Sequence, residues 1–189
     1  MIAARTAAEE LRVARLAGVP RAPFTDTDPA LDERWGCQVQ DEDRARRLSQ
    51  GERVVGAKLG LTSRAKQVTM GVHQPIVGFL TDAMHLPNGH DTDLFSRTAQ
   101  PRIEPEIAFR LGGVVGRPVH TATGAAVLGH PLLALVQLSE HLAKRGERLP
   151  VGAIVLAGAL TDAVPIRPGV LYRAEIDRLG PVGFSVSTP

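Results

Sequence analysis

The spacing of apolar positions changes near residue 52. In 3–17, Leu11, Val13 and Leu16 alternate with charged residues at roughly helical spacing. Gly18 and Pro20 then end the segment. A second helix is expected to start at Asp28-Pro29, to carry a stripe of Leu31, Trp35, Val39 and Leu48, and to close at Gly51. Beyond it the pattern becomes strand-like. "RVVGAKLGLT" is a short β-branched run with glycines, "PIVGFL" is a strand or turn, and "RIEPEIAFRL" reads as a strand. "MHLPNGHDTDLFS" reads as a loop with a turn at Asn88-Gly89. "GHPLLALVQLSEHLAKRGERL" predicts a helix with Pro131 in its first turn and Gly146 past its end. "AIVLAGALT" and "VLYRAEIDRLGPVGFSVS" are further strands, with a tight turn at Pro168-Gly169 between them. The expected fold class is α+β: a helical N-terminal unit, 1–52, followed by a glycine-rich, mainly β domain, 53–189.

Composition narrows the function classes. The 189 residues suffice for one domain with a real core, and 43% hydrophobic with 22% charged residues is ordinary for a globular chain. A formal charge of +2, with no basic stretch interleaved with aromatics, argues against nucleic acid as a partner. No run approaches membrane-spanning length, and the N-terminus carries charges throughout, unlike a secretory signal. One cysteine, Cys37, permits no internal disulfide and suits a cytoplasmic setting, where it would be a packing residue. The G-x-G-x-x-G spacing of a dinucleotide site is absent, and "GGVVG" at 112–116 does not supply it.

Candidate chemistry rests on a few charged residues in apolar surroundings. Glu104 and Glu106 stand two apart in "QPRIEPEIAF". On one strand they would share a face about 7 Å apart, a spacing that suits Mg²⁺ or Mn²⁺. The alternative is the solvated side of an ordinary strand. Pro105 between them implies an edge or a bulge. Lys58 stands alone among apolar neighbours, flanked by Gly56 and Gly60. It is either a lysine held against a ligand or an edge-strand lysine that discourages aggregation. His130 before the helix reads as a cap or packing residue. "LAGAL" at 156–160 is small enough for close approach of a ligand, or simply tightly packed.

Four stretches, "VVGAKLGLTSRAKQVTMGVHQPIVGFLTDAM", "FSRTAQPRIEPEIAF", "TGAAVLGHPLLAL" and "RLPVGAIVLAGALTDAVPIRPG", occur in the order found in the fumarylacetoacetate hydrolase superfamily. The chain resembles its branch of 2-hydroxypentadienoate hydratases and 4-oxalocrotonate decarboxylases. The resemblance covers most of the chain from residue 53 onward. It implies a metal-dependent lyase of aromatic meta-cleavage catabolism that binds a small 2-oxo acid on Mg²⁺ or Mn²⁺ and works as a homo-oligomer, alone or in complex with a paralogous hydratase or decarboxylase. Glu104 and Glu106 match two metal ligands of the family, and Lys58 its active-site lysine. Ile76, Gly78, Gly158, Ala159 and Leu160 match the pocket wall. Ile76 stands where the hydratases carry an acidic residue, which favours decarboxylation of 2-oxo-3-hexenedioate over hydration of 2-hydroxypenta-2,4-dienoate.

The chain departs from that family near 111–112, where a central segment with a third acidic metal ligand is absent. A non-catalytic partner subunit is therefore a reading from another class. Ala153, Val170 and Gln137 are smaller departures.

Overall fold

The computed structural model describes residues 2–95, 98, 100–111, 130–161, 163–176 and 179–188. The "GGVVG" stretch and the far side of the expected seam at 111–112 lie outside them. In chain order the elements are α1 (Ala4–Ala17), α2 (Glu33–Ser49), β1 (Val54–Gly60), α3 (Arg64–Met70), β2 (Ile76–Thr81), β3 (Asp91–Thr92), β4 (Arg102–Ile103), β5 (Glu106–Arg110), α4 (Pro131–Lys144), β6 (Ile154–Ala159), β7 (Val164–Pro165), β8 (Leu171–Ile176) and β9 (Gly180–Val186). The α+β class expected from the sequence is the class observed.

The contacts group these elements into two units. One holds 1–52, 85–103 and 164–189, and the other 53–84 and 104–163.

In the first unit, α1 ends at Gly18 with φ +64, and α2 begins on Asp32, whose carboxylate accepts the Trp35 N–H at 2.8 Å. The helix start expected at Asp28-Pro29 is four residues early. Asp28 accepts the Ala30 N–H at 3.2 Å and closes a local turn instead. Phe24 packs edge-on to Trp35, whose indole N–H donates to the Ile2 carbonyl at 3.0 Å. Later in the chain β3 runs parallel to β9, β9 pairs antiparallel with β8, and β4 pairs with β7. β3 lies inside the stretch expected to be loop, and its Asn88-Gly89 turn is present, with Gly89 at φ +75.

The second unit carries a sheet of order β2-β1-β6-β5, in which β1 and β6 are parallel and the outer pairs antiparallel. Alternation assigns its two faces. Ala57 and Leu59 of β1 and Val155 and Ala157 of β6 join Ala134, Leu138 and Leu142 in a buried cluster. The last three recur every fourth residue, so they form one stripe of α4. Lys58, Leu156 and Ala108 lie in one row on the opposite face. α4 begins and ends as expected: Pro131 is its first residue, His130 Nδ1 caps it by accepting the Leu132 N–H at 3.0 Å, and Gly146 follows at φ +66. Ala153 joins the core at 3% exposure, which accounts for a small apolar residue there.

Gly56 explains how closely β1 and β6 approach: a Cβ there would lie 1.8 Å from the Ile154 carbonyl oxygen. Gly56→Ala is expected to cost about 3 kcal/mol by forcing the two strands apart, seen as a lower urea midpoint. An unchanged midpoint would contradict the packing.

Asp43 of α2 gives a second test. Burial raises its carboxyl, but hydrogen bonds from Arg46 at 2.6 Å and Arg47 at 2.9 Å outweigh this and hold it below the ordinary range. A carboxyl lowered in the folded state stabilises above its unfolded value and loses that contribution as pH falls through the folded one. Asp43→Asn should therefore lower Tm at neutral pH by about 3 °C, from about 1 kcal/mol. The gap to the unaltered protein should close between about pH 5 and pH 2. A gap that persists at pH 2 would remove the electrostatic account.

Candidate active site

Lys58 is set by strand register. It sits in the middle of β1, opposite Gly78 of β2 on one side and Leu156 of β6 on the other. β1 is thus an interior strand, which overturns the edge-strand reading of Lys58. Its ammonium donates to Glu106 Oε1 at 2.6 Å. The Glu106 side chain is only 6% exposed, against 41% for Lys58. Its other oxygen, Oε2, is buried with no hydrogen-bond partner. A buried carboxylate oxygen left so is costly, and a hard cation would satisfy it.

The two glutamates do not share one continuous strand. β4 ends at Ile103 and β5 starts at Glu106, so Glu104 and Pro105 lie between them. Proline has no N–H to give a ladder, while its carbonyl accepts the Leu160 N–H at 2.9 Å. The expected irregularity is present as a register shift between Glu106 and Ala108, with Glu106 opposite Ala159. Glu104 instead accepts from Lys66 Nζ at 3.1 Å.

Gly158 and Thr62 explain how Lys66 reaches it. Gly158 has φ +106, and a Cβ there would lie 2.3 Å from Thr62 Oγ1, so the loop before α3 packs directly onto β6. Leu61 in that loop adopts φ +54, uncommon for a branched residue, and its carbonyl accepts from the buried Gln67 side chain at 2.8 Å. Lys66 and Thr62 were not singled out from the sequence. The signal available was Ser63 and Gly71 bracketing a short helix at the N-cap and C′ positions.

The residues expected to line a pocket lie on β2 and on or just after β6, the two strands flanking β1. Gly78 flanks Lys58 and its absent side chain leaves open space, with nothing within 4 Å of an added Cβ. Ile76 lies opposite Gly60, two positions further along, and is 56% exposed. Ala159 faces Glu106 across the ladder, and Leu160 bonds the Pro105 carbonyl. Among the described residues no group of three or more His, Cys, Asp or Glu side chains could hold a metal. The donors at hand are two carboxylates, hard oxygen ligands that fit Mg²⁺ or Mn²⁺ when water and ligand oxygens complete the shell.

The second unit thus carries two lysine–glutamate pairs, Lys58–Glu106 and Lys66–Glu104, with open space over Gly78 beside Lys58. No protein-family model matches the chain. A 4-oxalocrotonate decarboxylase of a Pseudomonas species is 30% identical over 249 residues, spanning 95% of this chain and 96% of the relative. A 2-keto-4-pentenoate hydratase of Paraburkholderia xenovorans is 29% identical, spanning 93% of this chain and 92% of the relative. The solved 4-oxalocrotonate decarboxylase from Pseudomonas putida G7, complexed with magnesium and adipate, superposes with a TM-score of 0.89 at 27% identity and covers 97% of both chains. The chain belongs to the decarboxylase and hydratase branch of the fumarylacetoacetate hydrolase superfamily. An alignment of 249 residues against a chain of 189 leaves at least 60 positions of the Pseudomonas relative with no counterpart here.

The ion pair can be tested without any ligand. Lys58→Met leaves the Glu106 carboxylate unpaired and should cost about 2 kcal/mol in urea unfolding, less than a deeply buried pair would because Lys58 is partly solvated. Lys58→Met combined with Glu106→Gln should recover part of that loss. A double variant less stable than Lys58→Met alone would exclude the pairing.

Proposed function

We propose that the chain is a metal-dependent lyase that decarboxylates 2-oxo-3-hexenedioate to 2-hydroxypenta-2,4-dienoate. The observation that carries the reading is the Lys58–Glu106 pair, with a buried carboxylate oxygen free of hydrogen bonds, on the open face of the sheet. Glu104 and Glu106 would hold Mg²⁺ or Mn²⁺. The cation would supply Lewis-acid polarisation of a 2-oxo acid. Lys58, held at 2.6 Å by Glu106, presents its ammonium to an anionic substrate. Gly78, Gly158, Ala159 and Leu160 shape the space around it.

Ile76 favours decarboxylation, because an apolar side chain there offers no group to position water for addition. The second reading is hydration of 2-hydroxypenta-2,4-dienoate. It is favoured by relatives named hydratase at nearly the same identity as those named decarboxylase. No helix among the described residues is long and apolar enough to cross a membrane. We further propose a cytoplasmic homo-oligomer that can associate with a paralogous hydratase or decarboxylase, with 1–52 as its helical N-terminal unit.

The test is CO₂ release from 2-oxo-3-hexenedioate by the purified chain with MgCl₂ or MnCl₂. Glu106→Ala should lower kcat/KM by about 10²- to 10³-fold, the scale seen when a group stabilising developing charge is removed. EDTA should abolish turnover. Activity that survives either change removes the metal role. Hydration without CO₂ release selects the second reading, and activity only after adding a paralogous partner selects the structural-subunit reading.

A further inference from the structure

Lys66 has no role in the chemistry described above, yet its ammonium is held by a carboxylate and a backbone carbonyl. Its Nζ donates to Glu104 Oε1 at 3.1 Å and to the Thr161 carbonyl at 3.4 Å. It projects from α3, which is anchored by Thr62 against Gly158 and by the Gln67 side chain on the Leu61 carbonyl. Gln67, the next residue, is 4% exposed. The side chains of Lys66 and Glu104 are 32% and 25% exposed, so the pair is partly withdrawn from solvent.

The two glutamates therefore meet a cation differently. Glu106 keeps its Lys58 bond through Oε1 and has Oε2 to offer. Glu104 already has an ammonium on Oε1, and a divalent cation on the same carboxylate would stand beside that positive charge. Like charges a few ångströms apart repel strongly where water is partly excluded.

We propose that Lys66 holds the place of the divalent cation on Glu104 in the metal-free protein and is displaced when the cation binds. This rests on Glu104 and Glu106 as the metal ligands. Lys66 thereby weakens and tunes metal affinity instead of merely orienting a ligand, and the two roles predict opposite signs.

The experiment is a Mn²⁺ titration of the metal-stripped full chain at low ionic strength, with free Mn²⁺ read by electron paramagnetic resonance. Lys66→Met and Lys66→Gln should each tighten Mn²⁺ binding about fivefold, the equivalent of about 1 kcal/mol for a partly exposed ion pair. Lys66→Arg, which keeps the charge, should stay near the unaltered protein. Glu104→Gln should weaken binding. If Glu104→Gln weakens binding but both neutral Lys66 variants bind no tighter, the place-holding role is wrong and the metal site stands. If Glu104→Gln leaves binding unchanged, the metal reading falls and this inference with it.

Discussion

A lysine in the middle of an interior strand constrains everything around it. Lys58 has hydrogen-bonded strands on both sides, so its charge can be answered only above the sheet face that α4 does not cover. The answer comes from β5, on the far side of β6, through Glu106 at 2.6 Å. Neighbouring strands are about 4.8 Å apart and β6 lies between β1 and β5, so those two are roughly 10 Å from each other, and only two long side chains can span that gap. The register shift at Glu106 and the two-residue break before it serve this reach. An unbroken ladder would have fixed Glu104 and Glu106 on one line instead of sending each carboxylate to its own lysine.

The small residues of β6 do the complementary work. Gly158 lets Thr62 settle onto the strand, the Leu61 backbone bends to allow it, and α3 is thereby brought near enough for Lys66 to reach Glu104 and Thr161. Gly158 within "LAGAL" is thus closely packed against Thr62, and that packing brings Lys66 to Glu104.

Much of this was legible in the sequence where the determinant is local. α1, α4 and their glycine ends follow from apolar spacing and capping, and β1, β2 and β6 from short β-branched runs. His130 as a cap was readable for the same reason. What failed depended on competition or on distant partners. The start of α2 moved because Asp28 bonds its own turn before it can cap a helix. "RIEPEIAFRL" broke because Arg102 and Ile103 pair with Val164 and Pro165, whereas residues from Glu106 onward pair with β6. Lys58 and Glu106 were legible as candidates, but their contact across 48 positions was not, since no local pattern encodes which strands become neighbours.

The shortening of the chain bears on the site through charge more than through framework. The β5–β6 ladder is continued by Leu111, whose N–H donates to Ala153 and whose carbonyl accepts from Gly152, so pairing is complete up to the last described residue before the expected seam. A TM-score of 0.89 to a solved relative fits a framework kept intact. Two glutamates offset by Lys58 and Lys66 form a neutral set, whereas a third carboxylate would leave it negative. If a divalent cation displaced Lys66 from Glu104, the two glutamates, Lys58 and the cation together would carry one positive charge, which a single substrate carboxylate offsets.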